Sequence, residues 1–306
     1  MSNHTHLKEF ILVGFPENMQ ICVLYFAVLL LIYILTVLGN SFLICTVILS
    51  PKLHTPMYFF LCNLSFLDLC YSSSSVPKIL IDVLSKKRRI SFLGCMVQMN
   101  TGLFFGSIEC LLLAVMAYDR YMAICFPLYY TNVMNHNICW NITGIMWLGG
   151  FFISVVPTIS KPLIFCTKNK LNHFACEILA LLELACGNLA FYKITIFVVS
   201  IFTILAPLVF IVVTYVLIII SIMKIQSIEG RSKAFSTCAS HLFVVFMFYG
   251  TSMTMYLGQT NYFSFSLKYI SLIYGVITPV LNPLIYSLRN NEVKEGFQKT
   301  LRKFSL

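Results

Sequence analysis

Residues 194–223 read ITIFVVSIFTILAPLVFIVVTYVLIIISIM, a run without a single Asp, Glu, Lys or Arg. As a helix rising 1.5 Å per residue it would extend roughly 45 Å, more than the ~30 Å of a bilayer's hydrocarbon. A barrel strand would need about ten residues of alternating polarity, and no such alternation breaks this run. The stretch therefore predicts a helix that crosses a membrane.

Working outward, comparable runs lie near 21–49, 57–80, 95–119, 138–160, 237–261 and 268–288, which makes seven. Asp68, Lys78, Glu109, Asp119, His241 and Lys268 interrupt them. Of these, Lys78, Asp119, His241 and Lys268 stand near span ends, where they are expected to reach the polar interface. Composition agrees. Of 306 residues, 59% are hydrophobic and 10% charged, where a soluble domain carries about 25% charged. Such a chain cannot cover itself in water, so the bilayer is its solvent. The expected fold class is all-α: an integral membrane bundle of seven transmembrane helices, one domain over 1–306. Residues 1–18 are polar and mixed, so no cleavable leader is expected.

The net charge of +10 does not orient the bundle. With the N-terminus outside, ten Lys and Arg fall on the cytoplasmic side and eleven on or near the other face, so the positive-inside rule is undecided. A charge split over two faces is also no nucleic-acid footprint. Three features favour an extracellular N-terminal segment, 1–20. Asn3-His4-Thr5 is a glycosylation sequon in a short polar tail; Asn63 and Asn141 also head sequons, but inside spans. Residues 289–306 read as a short amphipathic helix. Val293, Phe297, Leu301 and Phe304 share one face, Lys294, Lys299, Arg302 and Lys303 take the rest, and Asn291 caps it with Glu292 in the first turn. A basic amphipathic helix suits anionic cytoplasmic membrane lipids. The cysteines are the third feature. Of twelve, eight lie in or beside spans as small packers, whereas Cys95, Cys166, Cys176 and Cys186 share the proposed outer side, which is oxidising. Three pairings are open to them, and spacing does not choose. Paired, they would fold the long loop 161–193 over the bundle as a lid.

Polar residues inside spans are costly and mark function. Counting along helices puts Asp68 and Glu109 each about 16 Å from the inner side, Asn40 roughly 14 Å and Asn282 roughly 10 Å. Four polar groups from four helices thus share a layer. Two buried carboxylates in one layer must share a proton or bind a cation. Sodium, held by carboxylate and amide oxygens, and a shared-proton knot both remain open; no other cofactor or metal is implied. At the inner end of the third span stands Asp119-Arg120-Tyr121, an Asp–Arg pair able to close and open as a switch. Asn282-Pro283-Leu284-Ile285-Tyr286 ends the seventh span. There Pro283 removes a backbone donor, Asn282 can reach Asp68, and Tyr286 can swing between packing sites.

These residues carry a resemblance. Asn40, Asp68, Cys95, Asp119-Arg120-Tyr121, Pro207 with Tyr215, and the Asn282–Tyr286 segment together resemble the rhodopsin-like G-protein-coupled receptors. Four longer strings narrow it: LHTPMYFFL at 53–61, MAYDRYMAIC at 116–125, KAFSTCASH at 233–241 and PLIYSLRN at 283–290. With HFACE at 173–177 in the loop, the chain resembles the vertebrate olfactory receptors of the tetrapod-type class over its whole length.

The resemblance implies pairing of Cys95 with Cys176 and of Cys166 with Cys186, and likens Asp68 and Glu109 to sodium-site carboxylates. It places Arg120 and Tyr215 where a G protein docks, Lys233 and His241 near the moving inner end of the sixth span, and Tyr249 at that span's switch. It puts an odorant pocket between spans three, five, six and seven, at Leu103, Gly106, Ser107, Val199, Ser200, Thr203, Ser252, Tyr256 and Tyr274. The partners implied are a volatile odorant and a heterotrimeric G protein of the stimulatory olfactory type that raises cyclic AMP. The location implied is the plasma membrane. Physically, Gly102 and Gly106 vacate space one turn apart, and small hydroxyls face them among aliphatics, which suits a small, mostly apolar molecule with one polar group. None of these positions is charged, so a charged amine or acid is disfavoured. Tyr129, Ile164, Ala175 and Glu183 depart from the family's usual residues and leave odorant preference undetermined. A transporter or ion channel with carboxylates along an ion path is the alternative, but paired broken helices and a pore-ring motif are missing. No catalytic motif points to an enzyme.

Overall fold

A computed structural model of the chain describes residues 7–166, 169–257, 264–289, 293–296 and 298. Helices α1 (Met19–Leu49), α2 (Pro56–Leu84), α3 (Phe92–Cys125), α4 (His136–Ser160), α5 (Ala190–Met223) and α6 (Ile228–Tyr256) are followed by α7, which joins Ser264–Leu272, Ile273–Ile277 and Thr278–Arg289. Side-chain caps fix four of the starts. Asn18, Ser91, Asn135 and Ser227 each accept a first-turn backbone N–H, which α1, α3, α4 and α6 would otherwise leave unsatisfied. The helices outrun the apolar spans because polar residues continue them past the hydrocarbon. Positions 258–261, the end expected for the sixth span, lie outside the described residues.

Six of these helices are long and apolar enough to cross a membrane. The exception, α2, carries Asp68, Lys78 and Asp82 and four consecutive serines from Ser72. It packs against α1, α3 and α7, and Asp68, Ser72 and Asp82 are each about 1% exposed. The polarity of α2 thus faces protein. The opposite holds on α5, where Val209, Val212, Val213 and Val216 are each more than half exposed. An apolar exterior around a polar interior is stable in lipid and not in water. The chain is a multi-pass membrane bundle of seven helices.

Three helices contain a π-turn, at Phe151–Val155 in α4, Ile201–Leu205 in α5 and Ile273–Ile277 in α7. A proline follows each at the second position beyond: Pro157, Pro207 and Pro279. A proline ring collides with the carbonyl four residues earlier, and a widened turn relieves that collision. In α7 the irregular turn therefore lies upstream of the segment expected to bend at Pro283. Pro283 itself sits within the regular helix Thr278–Arg289, and a Cβ placed on Gly39 of α1 would come within 3.2 Å of its ring.

At one end of the bundle, here the lid end, three short strands join. β1 (Glu9–Leu12) lies between β2 (Arg89–Ser91), antiparallel, and β3 (Lys170–Leu171), parallel. This sheet adds to the helical class and went unforeseen: the tail read as polar buries Phe10, Leu12 and Phe15. Disulfides Cys95–Cys176 and Cys166–Cys186 tie the 161–189 loop to α3 and to itself. Arg88 donates to the carbonyls of Phe15 and Pro16 at 3.0 and 3.2 Å. Lys268 was expected to reach the interface. It is 5% exposed instead, and donates to Gly14 O at 3.0 Å and Asn172 Oδ1 at 3.3 Å. Lys78 bonds Asp82 one turn along α2.

At the opposite end, residues 293–296 are helical, with Val293 buried and Lys294 and Glu295 exposed. A Cβ on Gly296 would meet Thr46, Ser50 and Leu53, so this segment lies against the end of α1. Asn291, Glu292, Phe297, Lys299, Leu301, Arg302, Lys303 and Phe304 of the expected amphipathic helix lie outside the described residues, as does Asn3.

Candidate functional site

Beneath the lid, α3, α4, α5, α6 and α7 surround a cavity of about 80 Å³. All nine pocket positions named from the sequence line it: Leu103, Gly106 and Ser107 from α3; Val199, Ser200 and Thr203 from α5; Ser252 and Tyr256 from α6; Tyr274 from α7. Their hydroxyls are partly spent on the backbone, Ser107 on Leu103 O and Thr203 on Val199 O at 2.8 Å each. The remaining wall is mostly carbon, with further hydroxyls from residues such as Ser154, Thr158 and Thr195. Gly106 leaves room that any larger residue would fill, since a Cβ there would lie 2.5 Å from the Tyr274 hydroxyl. The missing side chain therefore seats Tyr274 at the cavity wall and gives the site part of its shape.

Sequence reasoning missed the α4 wall, Ile153, Ser154, Pro157 and Thr158, and the lid residue Ile178. The signal available was Pro157 beside two small hydroxyl residues in a span otherwise read as packing. It also missed Glu177. This carboxylate accepts the Tyr256 hydroxyl at 3.2 Å, so an acidic group stands behind a cavity whose nine named positions carry no charge.

The cavity is wired to α6. Cys110 lines it, and the Cys110 carbonyl accepts the Tyr249 hydroxyl at 2.7 Å. One turn further along α3, the Leu113 carbonyl lies 3.2 Å from His241 Nε2, whose Nδ1 is 2.8 Å from the Tyr215 hydroxyl of α5. An Nε2–H tautomer satisfies both: Tyr215 donates to Nδ1 and Nε2–H donates to the carbonyl. His241 was expected at the interface, but it is fully buried because these two bonds replace water. Tyr215 stacks on it at 5.7 Å and is 4% exposed. Two carbonyls of α3 thus pin α6 at two levels.

The polar layer is assembled from α1, α2, α3 and α7. Asn282 Nδ2 donates to both oxygens of Asp68, at 3.2 and 3.0 Å. Asn40 Nδ2 donates to Pro279 O at 2.9 Å and Thr36 O at 3.0 Å. Glu109 is 5% exposed and close enough to Asp68 for the two carboxyl groups to interact. Asn40 Oδ1, Glu109 Oε1 and Asn282 Oδ1 are buried without a hydrogen-bond partner among the described residues. Hard cations are bound by carboxylate and amide oxygens, the chemistry these four side chains carry.

At the end away from the lid, Asp119 is 2% exposed and accepts the Tyr130 hydroxyl at 2.8 Å. No Asp119–Arg120 ion pair occurs among the described residues. The Tyr130 hydroxyl satisfies the carboxylate in this arrangement, in which the pair expected to close and open is not closed. Tyr121 packs on Phe126 at 5.6 Å, and the Tyr286 hydroxyl is buried without a partner among the described residues. Lys233 lies in α6; its side chain is outside the described set.

Comparison with known proteins follows the same outline. A family model described as olfactory receptor matches residues 29–303. Human olfactory receptor 13C9 is 48% identical over 302 residues, covering 96% of this chain and 95% of that one. Human olfactory receptor 2K2 is 46% identical over 99% of this chain and 96% of its own. Mouse olfactory receptor 2C1 is 45% identical over 96% and 95% respectively. With the lidded cavity, the two levels of α6 pinning and the buried polar layer in view, the match over nearly the full length establishes that this chain belongs to the olfactory receptor family.

Proposed function

We propose that the chain binds small, mostly apolar volatile molecules in the lidded cavity and passes the signal to a stimulatory olfactory G protein, raising cyclic AMP. The lid end faces outward at the plasma membrane, with the N-terminus extracellular and Asn3 glycosylated, since disulfides persist in oxidising surroundings. The observation that carries the reading is the adjacency of cavity and pin: Cys110 both lines the cavity and accepts the Tyr249 hydroxyl. A molecule that fits better when this contact is rearranged shifts the population toward that arrangement. The end of α6 that carries His241 then leaves Leu113 and Tyr215. Asp119, Arg120 and Tyr121 at the foot of α3, with Lys233 on α6 and Pro283 and Tyr286 on α7, form the surface a G protein reads.

Asp68, Glu109, Asn40 and Asn282 would hold sodium, which neutralises the two carboxyl groups and favours the pinned arrangement. Two interacting buried carboxyl groups with the Asn40 and Asn282 amides in the same layer support this reading, and a shared proton is the other arrangement they allow. In Glu109→Gln the sodium dependence of an agonist response should vanish; an unchanged dependence removes the ion.

The reading is tested by expressing the chain with an N-terminal tag and the stimulatory olfactory G protein, then screening volatile compounds for cyclic AMP. At least one small apolar compound should raise it in cells that display the tag. Ligand-gated current without the G protein would overturn the proposal in favour of a channel.

A further inference from the structure

A second cavity, of about 50 Å³, lies between α2, α3 and α7 and shares Gly102, Leu103, Ile178 and Tyr256 with the main one. The two differ in chemistry. The main cavity is walled by carbon and small hydroxyls, whereas the smaller one receives Gln98, His173 and Glu177. Both polar atoms of Gln98 already hold the fold: its Oε1 accepts the Cys176 N–H at 2.8 Å and its Nε2 donates to Ser74 O at 3.3 Å. His173 Nδ1 lies 2.8 Å from the Ala175 carbonyl.

Glu177 keeps unused capacity. Its Oε2 accepts the Leu179 and Ala180 N–H groups at 3.0 and 3.3 Å, while Oε1 has a single long bond from Tyr256 at 3.2 Å. A carboxylate takes about four hydrogen bonds. No Lys or Arg lies within ion-pair distance of it among the described residues. The backbone bonds fix where Oε2 points, so the site is built rather than incidental. Tyr256 stands at the boundary of both cavities and joins them through its hydroxyl.

We propose that Glu177 anchors the polar end of the ligand: a short chain bearing a hydrogen-bond-donor head, an amine foremost and an alcohol next, sets its head in the smaller cavity and its chain in the main one. This inference rests on the odorant reading above. An acid-headed ligand is rejected there, because its carboxylate would face Glu177 across a water-poor space. Burial lifts the Glu177 carboxyl to about 7, so an arriving ammonium supplies the charge that its surroundings lack. The sequence could not place this residue at the ligand, since its register follows from the Cys95–Cys176 tether.

The test uses the full-length receptor in lipid discs with hexylamine, 1-hexanol and hexanoic acid as probes, read as the rise in thermal midpoint with concentration. Hexylamine should bind most tightly, 1-hexanol more weakly, and hexanoic acid not at all. Glu177→Gln, near-isosteric and able to keep the backbone bonds, should weaken hexylamine about tenfold or more and leave 1-hexanol within about twofold. Tyr256→Phe frees Oε1 and should keep the amine preference. Hexanoic acid binding as well as hexylamine, an amine preference that survives Glu177→Gln, its loss in Tyr256→Phe, or no binding of any probe would each overturn the proposal. Cyclic AMP measured in parallel against a broad volatile panel separates the two readings. A panel response indifferent to Glu177→Gln removes the anchor and leaves the receptor, whereas silence to every volatile removes the receptor reading.

Discussion

The two ends of the bundle are held by different kinds of bond. The lid end is fastened by two disulfides, a three-stranded sheet and the Arg88 and Lys268 contacts to tail carbonyls. The opposite end depends on individual side-chain hydrogen bonds: Tyr215 to His241, His241 to Leu113, and Tyr130 to Asp119. Covalent and laddered contacts resist local opening, while single hydrogen bonds worth about 1 kcal/mol net can exchange at low cost. The difference teaches that the cavity lies beside the covalently fastened end, whereas the end proposed to move is held only by contacts that can exchange.

Breaking the fastened end should have the largest effect. Cys95→Ser removes the tether of the lid, which costs ~2–5 kcal/mol in small disulfide-bonded domains. Surface display of a tagged receptor should fall close to background. Normal display with normal response would mean that the sheet alone holds the lid.

Filling the cavity comes next. Gly106→Phe places a ring where the Tyr274 hydroxyl sits and should abolish the response to an active volatile, with surface display within about twofold of the parent. Tyr256→Ala should alter which volatiles are active. Unaltered tuning in both variants would place the ligand elsewhere.

Loosening the mobile end should act in the opposite direction. His241→Ala removes both of the bonds that join Tyr215 and Leu113 to α6. Basal cyclic AMP should rise about fivefold, the shift expected from roughly 1 kcal/mol. Tyr215→Phe should give a smaller rise. A fall in basal signal in His241→Ala would show that the histidine serves the active arrangement instead.

The smallest expected effect is on the lid's pH response. Burial lowers His173 to about 4, below its ordinary ~6.5, so its contribution is full above that ordinary value and lost as pH falls toward 4. Glu177 runs the other way. Raised by burial to about 7, its contribution is full below its ordinary ~4.3 and lost as pH rises through 7. Glu177→Gln should therefore raise the thermal midpoint relative to the parent above neutral pH, and the gap should close under acid. A constant gap would remove the carboxyl from the pH response.

The helical bundle was the more legible part of the sequence. Seven apolar runs gave the helices, because a bilayer demands length and hydrophobicity that a single chain displays openly. The nine pocket residues came from the family resemblance, and spacing alone offered only Gly102 and Gly106, one turn apart on α3. The fastened end was opaque. Strands of two to four residues such as Glu9–Leu12 carry no periodic signature, and Phe10 and Phe15 look like chance apolar residues in a polar tail. Glu177 and the α4 wall became visible only when the chain closed on itself. Lys268 and His241 misled because hydropathy locates a span end but not the partner that lets a polar group stay buried there.

The central claim is that a molecule in the cavity releases α6 from α3, and the most direct measurement is a distance. Spin labels at residues 125 and 231, at the ends of α3 and α6 away from the lid, should be read with and without a volatile that raises cyclic AMP. The separation should lengthen on addition of the volatile, and Gly106→Phe should keep it short. A distance that stays fixed while cyclic AMP rises would contradict the account.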